Sequence, residues 1–359
     1  MAVYVYNSLT RKKEEFIPQE KNIVRMYTCG ITAYDDCHLG HARSLYIFEV
    51  IRRYLKYRGF KVIFVRNITD IDDKIVNRAK EVNLGWQELV DKYIQSYYED
   101  LSLLGIQKAD YEPRATENIP EMIETIKILI EKGFAYPTQT GVYFRIKSFR
   151  DYGKLSGQNL EEMLVGVRIE PDEKKEYPLD FALWKICSED EPGWTSPWGR
   201  GRPGWHIECS VMSLKYLKTE TLDIHAGGRD LVFPHHENEI AQSQSLTGKP
   251  FSRYWLHHGL LTINQEKMAK SLGNFISIKD FFTQYRNLDI LKIFFLGTHY
   301  SHPIDYTLEK IQEARRALER IVIFWERLNQ ADSETKVSLI EPIERIKTRF
   351  ISAMDDDFN

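Results

Sequence analysis

The sequence predicts an α/β fold: a Rossmann-like, doubly wound parallel sheet with an inserted connective domain and C-terminal helices. Three observations predict it. Residues 22–65 read as strand, helix, strand. Residues 136–204 are rich in Gly, Pro and charge and hold no long periodic helix. Leu222 to His225 then returns as a strand, followed by a helix from His235.

Asn22 to Cys29 is extended and stops at Gly30. Ala42 to Arg58 is helical, because Leu45, Phe48, Ile51 and Leu55 recur at three- and four-residue steps and Gly59 stands where a C-cap belongs. Lys61 to Val65 is a β-branched strand. This order implies a parallel crossover with ligands at the carboxyl ends of the strands, and Cys29, His38 and Thr69 fall on that rim. Trp86 to Leu104 and Glu117 to Lys132 read as helices, the second stopped by Gly133, and Gly141 to Ile146 as extended. The returning strand ends in Ala226-Gly227-Gly228. Phe233-Pro234 puts proline at the entrance of a helix running to Leu246. Thr307 caps a helix to Leu328, and Ile343 to Met354 forms another.

A chain of 359 residues should fold as two or three units. Its 43% hydrophobic and 28% charged content is ordinary for a soluble enzyme. No run of about 18 apolar residues exists, which excludes a membrane helix. Met1 to Phe16 alternates apolar residues with charge, unlike a signal or transit peptide, so the cytoplasm is expected. Cys29, Cys37, Cys187 and Cys209 show no disulfide-framework spacing, which favours metal or catalytic roles over bridges. Cys37 and Cys187 are read as structural. A net charge of −3 argues against wholesale coating of nucleic acid. RNA contact is expected at a local patch such as Arg52-Arg53 or Arg315-Arg316, although either pair fits a solvated helix face equally well.

Two basic clusters carry the chemistry. Cys37-His38-Leu39-Gly40-His41 opens a helix after a strand, and Lys267-Met268-Ala269-Lys270-Ser271 lies far along the chain. The first offers imidazole donors at a helix N-terminus, where free N–H groups and the dipole favour phosphate. The second offers mobile ammonium groups for the same polyphosphate. Together they read as an adenylate-forming site. His235 and Glu239, four apart at a helix start, share one face. With Cys29 and Cys209 they form the mixed S, N and O donor set zinc favours. On spacing alone His206, His225, His236 and Glu237 compete as ligands, and Cys209 also reads as a buried small hydrophobe.

At these residues the chain resembles the cysteinyl-tRNA synthetases, class I aminoacyl-tRNA synthetases. The motifs are Tyr27-Thr28-Cys29-Gly30-Ile31-Thr32, Cys37 to His41, Arg66-Asn67-Ile68-Thr69-Asp70-Ile71-Asp72-Asp73-Lys74, Gly201 to Cys209 and Phe233-Pro234-His235-His236-Glu237-Asn238-Glu239. The resemblance implies one zinc per subunit on Cys29, Cys209, His235 and Glu239, binding the substrate thiolate and so rejecting serine, a near-isostere that a hydrophobic pocket handles poorly. It implies ATP with Mg²⁺ as substrate, L-cysteine and tRNA(Cys) as partners, and a monomer without membrane contact. Cysteine carboxylate attacks the α-phosphorus, pyrophosphate leaves, and a ribose hydroxyl of tRNA then takes the cysteinyl group. His38, His41, Lys267 and Lys270 are the expected catalytic donors to phosphate. Gly228 and Asp230 are expected at the nucleotide, Asp230 on ribose hydroxyls or the substrate ammonium, with a tight turn and a helix-capping Asp as the alternative. Gly30, Thr69 and Trp205 are expected at the amino acid, Thr69 and Asp70 facing its amine or alternatively capping the next helix, and Trp205 alternatively in the core.

The resemblance divides the chain at 1–135 and 205–262 for the halves of the catalytic domain, 136–204 for the insertion, 263–306 for the Lys-Met-Ser-Lys-Ser-type loop region, and 307–359 for the start of a helical anticodon-binding domain. Two departures stand out: Ala269 replaces the family's middle serine, and the chain ends at Asn359, where the family continues. Adenylate formation is expected to survive both, with anticodon-dependent charging in doubt. Two rival functions share the motifs: a ligase joining cysteine to an amino-sugar, as in mycothiol synthesis, and a non-catalytic RNA- or cysteine-binding paralogue. Intact His38, His41 and Lys270 oppose the second.

Overall fold

The computed structural model describes residues 2–159, 174–268, 273–330 and 340–359. Ala269, Lys270 and Ser271 therefore lie outside the described residues, as do residues 160–173 of the expected insertion.

A short hairpin, β1 (Tyr4–Asn7) and β2 (Lys12–Glu15), precedes β3 (Ile23–Thr32), α1 (Leu39–Tyr57) and β4 (Lys61–Thr69). Then come α2 (Asp73–Val82), α3 (Trp86–Leu103) and α4 (Ile119–Glu131). The strands β5 (Ala135–Pro137), β6 (Gly141–Phe144), β7 (Phe181–Ile186) and β8 (Gly201–Pro203) form an antiparallel sheet in that order. The chain returns through α5 (Trp205–Leu217), β9 (Leu222–Gly228), α6 (Glu237–Thr247) and β10 (Ser252–His258). Then follow β11 (Leu261–Ile263), β12 (Glu266–Lys267), α7 (Ile278–Tyr285), α8 (Asp289–Leu296) and β13 (Ile304–Tyr306). The helices α9 (Leu308–Gln330) and α10 (Ile340–Asp355) end the order.

The central sheet runs β10-β9-β3-β4, all parallel, so the crossovers β3-α1-β4 and β9-α6-β10 put both strand ends of interest on one rim. Helices cover both faces. On one, Phe48, Ile51 and Leu55 of α1 pack with Met26, Phe64, Ile224 and Leu256. On the other, Cys209 and Leu217 of α5 and Ile240 of α6 pack with Tyr27, Val65 and Trp255. Burial on both faces explains why β9 is buried at every residue. This is the doubly wound sheet expected.

Both early strands outrun their apolar signal, reaching Thr32 and Thr69. The register of β3 on β4 slips between Thr28 and Ile31, a bulge that re-aims the side chain of Cys29. The antiparallel β5–β8 sheet packs into one core with Met122, Ile126 and Leu129 of α4 and Ile207, Val211 and Met212 of α5, so its packing unit is wider than residues 136–204. Thr307 Oγ1 accepts from Lys310 N at 3.3 Å, as a cap to α9 should. Regular helix begins at Glu237, not at His235 as the proline suggested. Residues Val232–His236 form a wide turn with Phe233 extended and the Phe233–Pro234 bond cis.

Candidate metal and nucleotide site

Cys29, Cys209, His235 and Glu239 converge on one point, their donor atoms all within 4.8 Å of one another. Cys29 comes from the β3 bulge, Cys209 from the first turns of α5, His235 from the wide turn and Glu239 from the start of α6. Cys29 Sγ lies 3.8 Å from Cys209 Sγ and 3.5 Å from Glu239 Oε1. Two thiolates about 2.3 Å from one tetrahedral zinc sit about 3.8 Å apart, so the sulfur spacing fits that ion. His235 Nε2 is 3.0 Å from Glu239 Oε1 yet makes no aligned hydrogen bond and is buried. Two donors this close but unaligned point at a shared third partner rather than at each other.

A rival set, Cys29, His225, His236 and Glu239, is equally compact. Its imidazoles, however, already have partners. His225 Nε2 is 2.7 Å from Glu239 Oε2, and His236 Nε2 is 3.4 Å from Cys29 Sγ, with its Nδ1 2.8 Å from His257 Nε2. These contacts are to Glu239 and Cys29, which belong to both sets, so with an ion on the first set the two imidazoles would orient two of its donors. His206 Nδ1 does the same for His235 Nδ1 at 2.8 Å. Glu237 points elsewhere, accepting from the backbone N of Ser156 at 2.8 Å.

Electrostatics hold the cluster together. Burial works against Glu239 ionising, but His225 and His235 hold its carboxyl well below the usual range. Burial likewise opposes charge on His235, yet Glu239 and Cys209 push it up to about 10. Burial and the neighbouring Cys209 raise the Cys29 thiol. Against burial, the hydrogen bond with Cys29 and the nearness of His235 bring Cys209 down to about 6.

His38 is the N-cap of α1. Its Nδ1 accepts from Gly40 N at 3.0 Å and His41 N at 3.2 Å, while His41 Nδ1 accepts from His38 N at 3.2 Å. This corrects the expectation that these backbone N–H groups are free for phosphate: His38 itself takes them. The reciprocal cap also fixes both tautomers, because each ring that accepts at Nδ1 carries its hydrogen on Nε2. Burial lowers His38 to about 4 and also lowers His41 well below the ordinary imidazole range, so both are neutral Nε2–H donors near neutral pH.

The segment that follows the second cluster in sequence pairs with the first: Leu39 N donates to Ile276 O at 3.1 Å and Ile278 N to Cys37 O at 2.9 Å. Lys267 is exposed on β12, beyond a tight turn at Asn264 and Gln265, both with positive φ. Asn274 Nδ2 donates to its carbonyl at 3.2 Å. Cys37 is buried beneath His38, and Cys187 lies far off in β7's trailing loop, 3.2 Å from Arg200 Nη1.

At the amino-acid end the structure revises several roles. A Cβ at Gly30 would strike the Asn67 carbonyl, and its N–H donates to Asn67 Oδ1 at 2.9 Å, so the position demands glycine for packing. A Cβ at Gly228 would strike Asp230, so the room expected for nucleotide backbone contact is filled by that carboxylate. Asp230 is exposed and caps nothing. Asp72, not Thr69 or Asp70, caps α2, while Asp70 is engaged by Thr116, whose N donates to it at 2.9 Å and whose hydroxyl donates at 2.5 Å. Trp205 is half-buried and stacks on His235 with centroids 4.0 Å apart, outside the core. His38's cap and the contact of His257 with His236 were missed from the sequence. The reciprocal spacing of His38 and His41, a capping box in imidazole, could have revealed the first, and no local pattern marks the second.

Comparison with known proteins agrees with this geometry. The family described as tRNA synthetases class I (C) catalytic domain matches residues 15–316. A cysteine--tRNA ligase of Carboxydothermus hydrogenoformans is 53% identical over 99% of this chain and 77% of its own length. One from Aquifex aeolicus is 49% identical over the whole of this chain and 74% of its own. Mycobacterium tuberculosis methionyl-tRNA synthetase, solved with methionyl-adenylate, superposes with a TM-score of 0.70 over 94% of this chain and 79% of its own at 15% identity, which shows a shared fold. The chain thus belongs to the class I aminoacyl-tRNA synthetases, in the cysteine--tRNA ligase family.

Proposed function

We propose that this chain activates L-cysteine with ATP and transfers the cysteinyl group to the 3′ end of tRNA(Cys). The observation that carries the reading is the convergence of Cys29, Cys209, His235 and Glu239 on the same rim as His38 and His41. These four residues would hold the zinc the family implies, and a bound zinc would supply a soft Lewis acid that prefers a thiolate to an alcohol. Trp205, stacked on His235, walls that pocket.

Nucleotide chemistry falls to the other end of the rim. Neutral His38 and His41 donate from Nε2 to phosphate oxygens where charge develops as cysteine carboxylate attacks the α-phosphorus. Lys267, and Lys270 further along its loop, would follow the pyrophosphate, and Mg²⁺ would arrive with ATP. Asp230 would take ribose hydroxyls. A cavity of about 950 Å³ beside Asp230 and His257, with Arg11 and Arg229 on its wall, gives a phosphate-bearing strand room to approach for the transfer step. Among the described residues no helix is long and apolar enough to cross a membrane. Action as a cytoplasmic monomer, with residues 307–359 opening an anticodon-binding domain, belongs to the same proposal.

One assay tests it: cysteine-dependent ATP–pyrophosphate exchange, then transfer of labelled cysteine to tRNA(Cys), with zinc measured in the same sample. Exchange with cysteine, little with serine, and one zinc per chain are expected. Exchange without transfer to tRNA but with transfer to an amino-sugar would replace this reading, and no exchange would end it.

A further inference from the structure

Glu208 sits one residue before Cys209 on α5, fully buried, with no role in the zinc cluster. Its Oε2 accepts the Thr69 hydroxyl at 2.8 Å, while Oε1 is buried with no partner. Among the described residues no cation pairs with it, and its one side-chain partner is the Thr69 hydroxyl. A buried carboxyl without a counter-charge is costly and needs a reason.

The reason lies in the chain of bonds it ends. Thr69 Oγ1 is 3.3 Å from Asn67 Nδ2, Asn67 Oδ1 accepts from Gly30 N at 2.9 Å, and the same Oδ1 is 3.8 Å from Cys209 Sγ. Glu208, Thr69 and Asn67 thus form a continuous polar strip that begins beside a candidate metal thiolate. Both Thr69 and Gly30 lie on the strand rim next to Cys29, at the carboxyl ends of β4 and β3. In cysteine the α-nitrogen is only three bonds from the thiol sulfur, so a thiol at the four-donor cluster puts the ammonium beside this strip. Because Glu208 takes the Thr69 hydroxyl hydrogen and Asn67 Nδ2 donates to one lone pair, the remaining Thr69 lone pair stays available to accept from that ammonium.

We infer that Glu208 is a positioning residue for the α-ammonium of the amino acid, acting through the Thr69 hydroxyl; this rests on the cysteine-activating reading of the site. It adds a second check to selection by the thiol: the pocket requires a cationic amine at fixed distance from sulfur.

The test compares L-cysteine with 3-mercaptopropionate, which keeps the thiol and carboxylate but lacks the amine, in binding to the zinc-loaded full chain followed by Trp205 fluorescence. In Glu208→Gln, affinity for L-cysteine should fall about tenfold or more, the scale of one charge-assisted hydrogen bond. Affinity for 3-mercaptopropionate and zinc content should stay within about twofold of the unaltered chain. Thr69→Val, isosteric without the hydroxyl, should reproduce the pattern, and it carries the test alone if Glu208→Gln does not fold. Equal loss for both ligands, or no loss for cysteine, would overturn the inference. An unaltered chain that binds neither thiol refutes the functional reading instead.

Discussion

At the scale of single residues, His38 uses Nδ1 to close the first turn of α1, and its Nε2–H is the phosphate donor we propose. The two roles can be separated, because asparagine also caps well but has no Nε2–H. His38→Asn should unfold in urea within about 0.5 kcal/mol of the parent, while pyrophosphate exchange falls roughly 10²–10³-fold. His38→Ala should lose both, the cap being worth about 1 kcal/mol. Cys209→Ser should lower zinc content and raise the KM for cysteine, leaving ATP binding, measured by equilibrium dialysis, unchanged; intact zinc and cysteine selectivity would remove Cys209 from the donor set. Restoring serine at 269 should change exchange by less than about a hundredfold, since both lysines of that cluster remain.

At the scale of elements, Arg43 joins what the chain separates. Fully buried on α1, its guanidinium donates to the carbonyls of Gly259 at 2.7 Å, Leu260 at 2.9 Å, Tyr300 at 3.2 Å and His302 at 2.6 Å. Those loops flank β11, which leads through β12 to Lys267, so one side chain ties the helix of the first basic cluster to the base of the second. Arg43→Ala leaves the His302 carbonyl without its donor, while those of Gly259, Leu260 and Tyr300 keep His258 Nδ1, Ile304 N and Gly259 N. It should cost on the order of 3 kcal/mol, read as a lower urea midpoint with an unchanged m-value. The last helices behave differently. α9 exposes Ile321, Phe324, Trp325 and Leu328, and α10 exposes Ile343, Ile346 and Phe350. Among the described residues α9 is anchored at its start by buried Ile311 and Ala314, and α10 at its far end, where Asp355 accepts from Tyr54 Oη of α1 at 2.7 Å and forms an ion pair with Arg58 at 2.9 Å.

Across the whole molecule, buried neutral imidazoles set the response to acid. Burial lowers both His38 and His258 to about 4, from an ordinary value of 6.5. Between those values the unfolded chain binds more protons than the folded one, so stability rises with pH from about 4 to about 6.5. Asp73, held low by Lys185 and Arg202 against its burial, acts in the same direction further down. Asp100 runs the other way: burial pushes it up to about 7, so it removes stability as pH rises through the same window. The urea midpoint should therefore climb from pH 4.5 to 6.5, and more steeply in Asp100→Asn; a flat or falling profile would contradict the buried-imidazole account.

Much of this was written locally. Periodicity at Leu45, Phe48, Ile51 and Leu55 predicts α1, alternation of strand and helix predicts the parallel sheet, and His235 with Glu239 predicts one shared face, because each depends on neighbours a few residues apart. The sequence by itself also supplied the residue types, thiols, imidazoles and a carboxylate, and the two basic clusters. Only the tertiary structure decided which of those side chains come together. Long-range register brings Cys29 and Cys209 to 3.8 Å and sets His225 and His236 against Glu239 and Cys29. It also decided which nitrogen of His38 faces outward and which group fills the space at Gly228, since hydrogen-bond partners far along the chain leave no periodic trace in sequence.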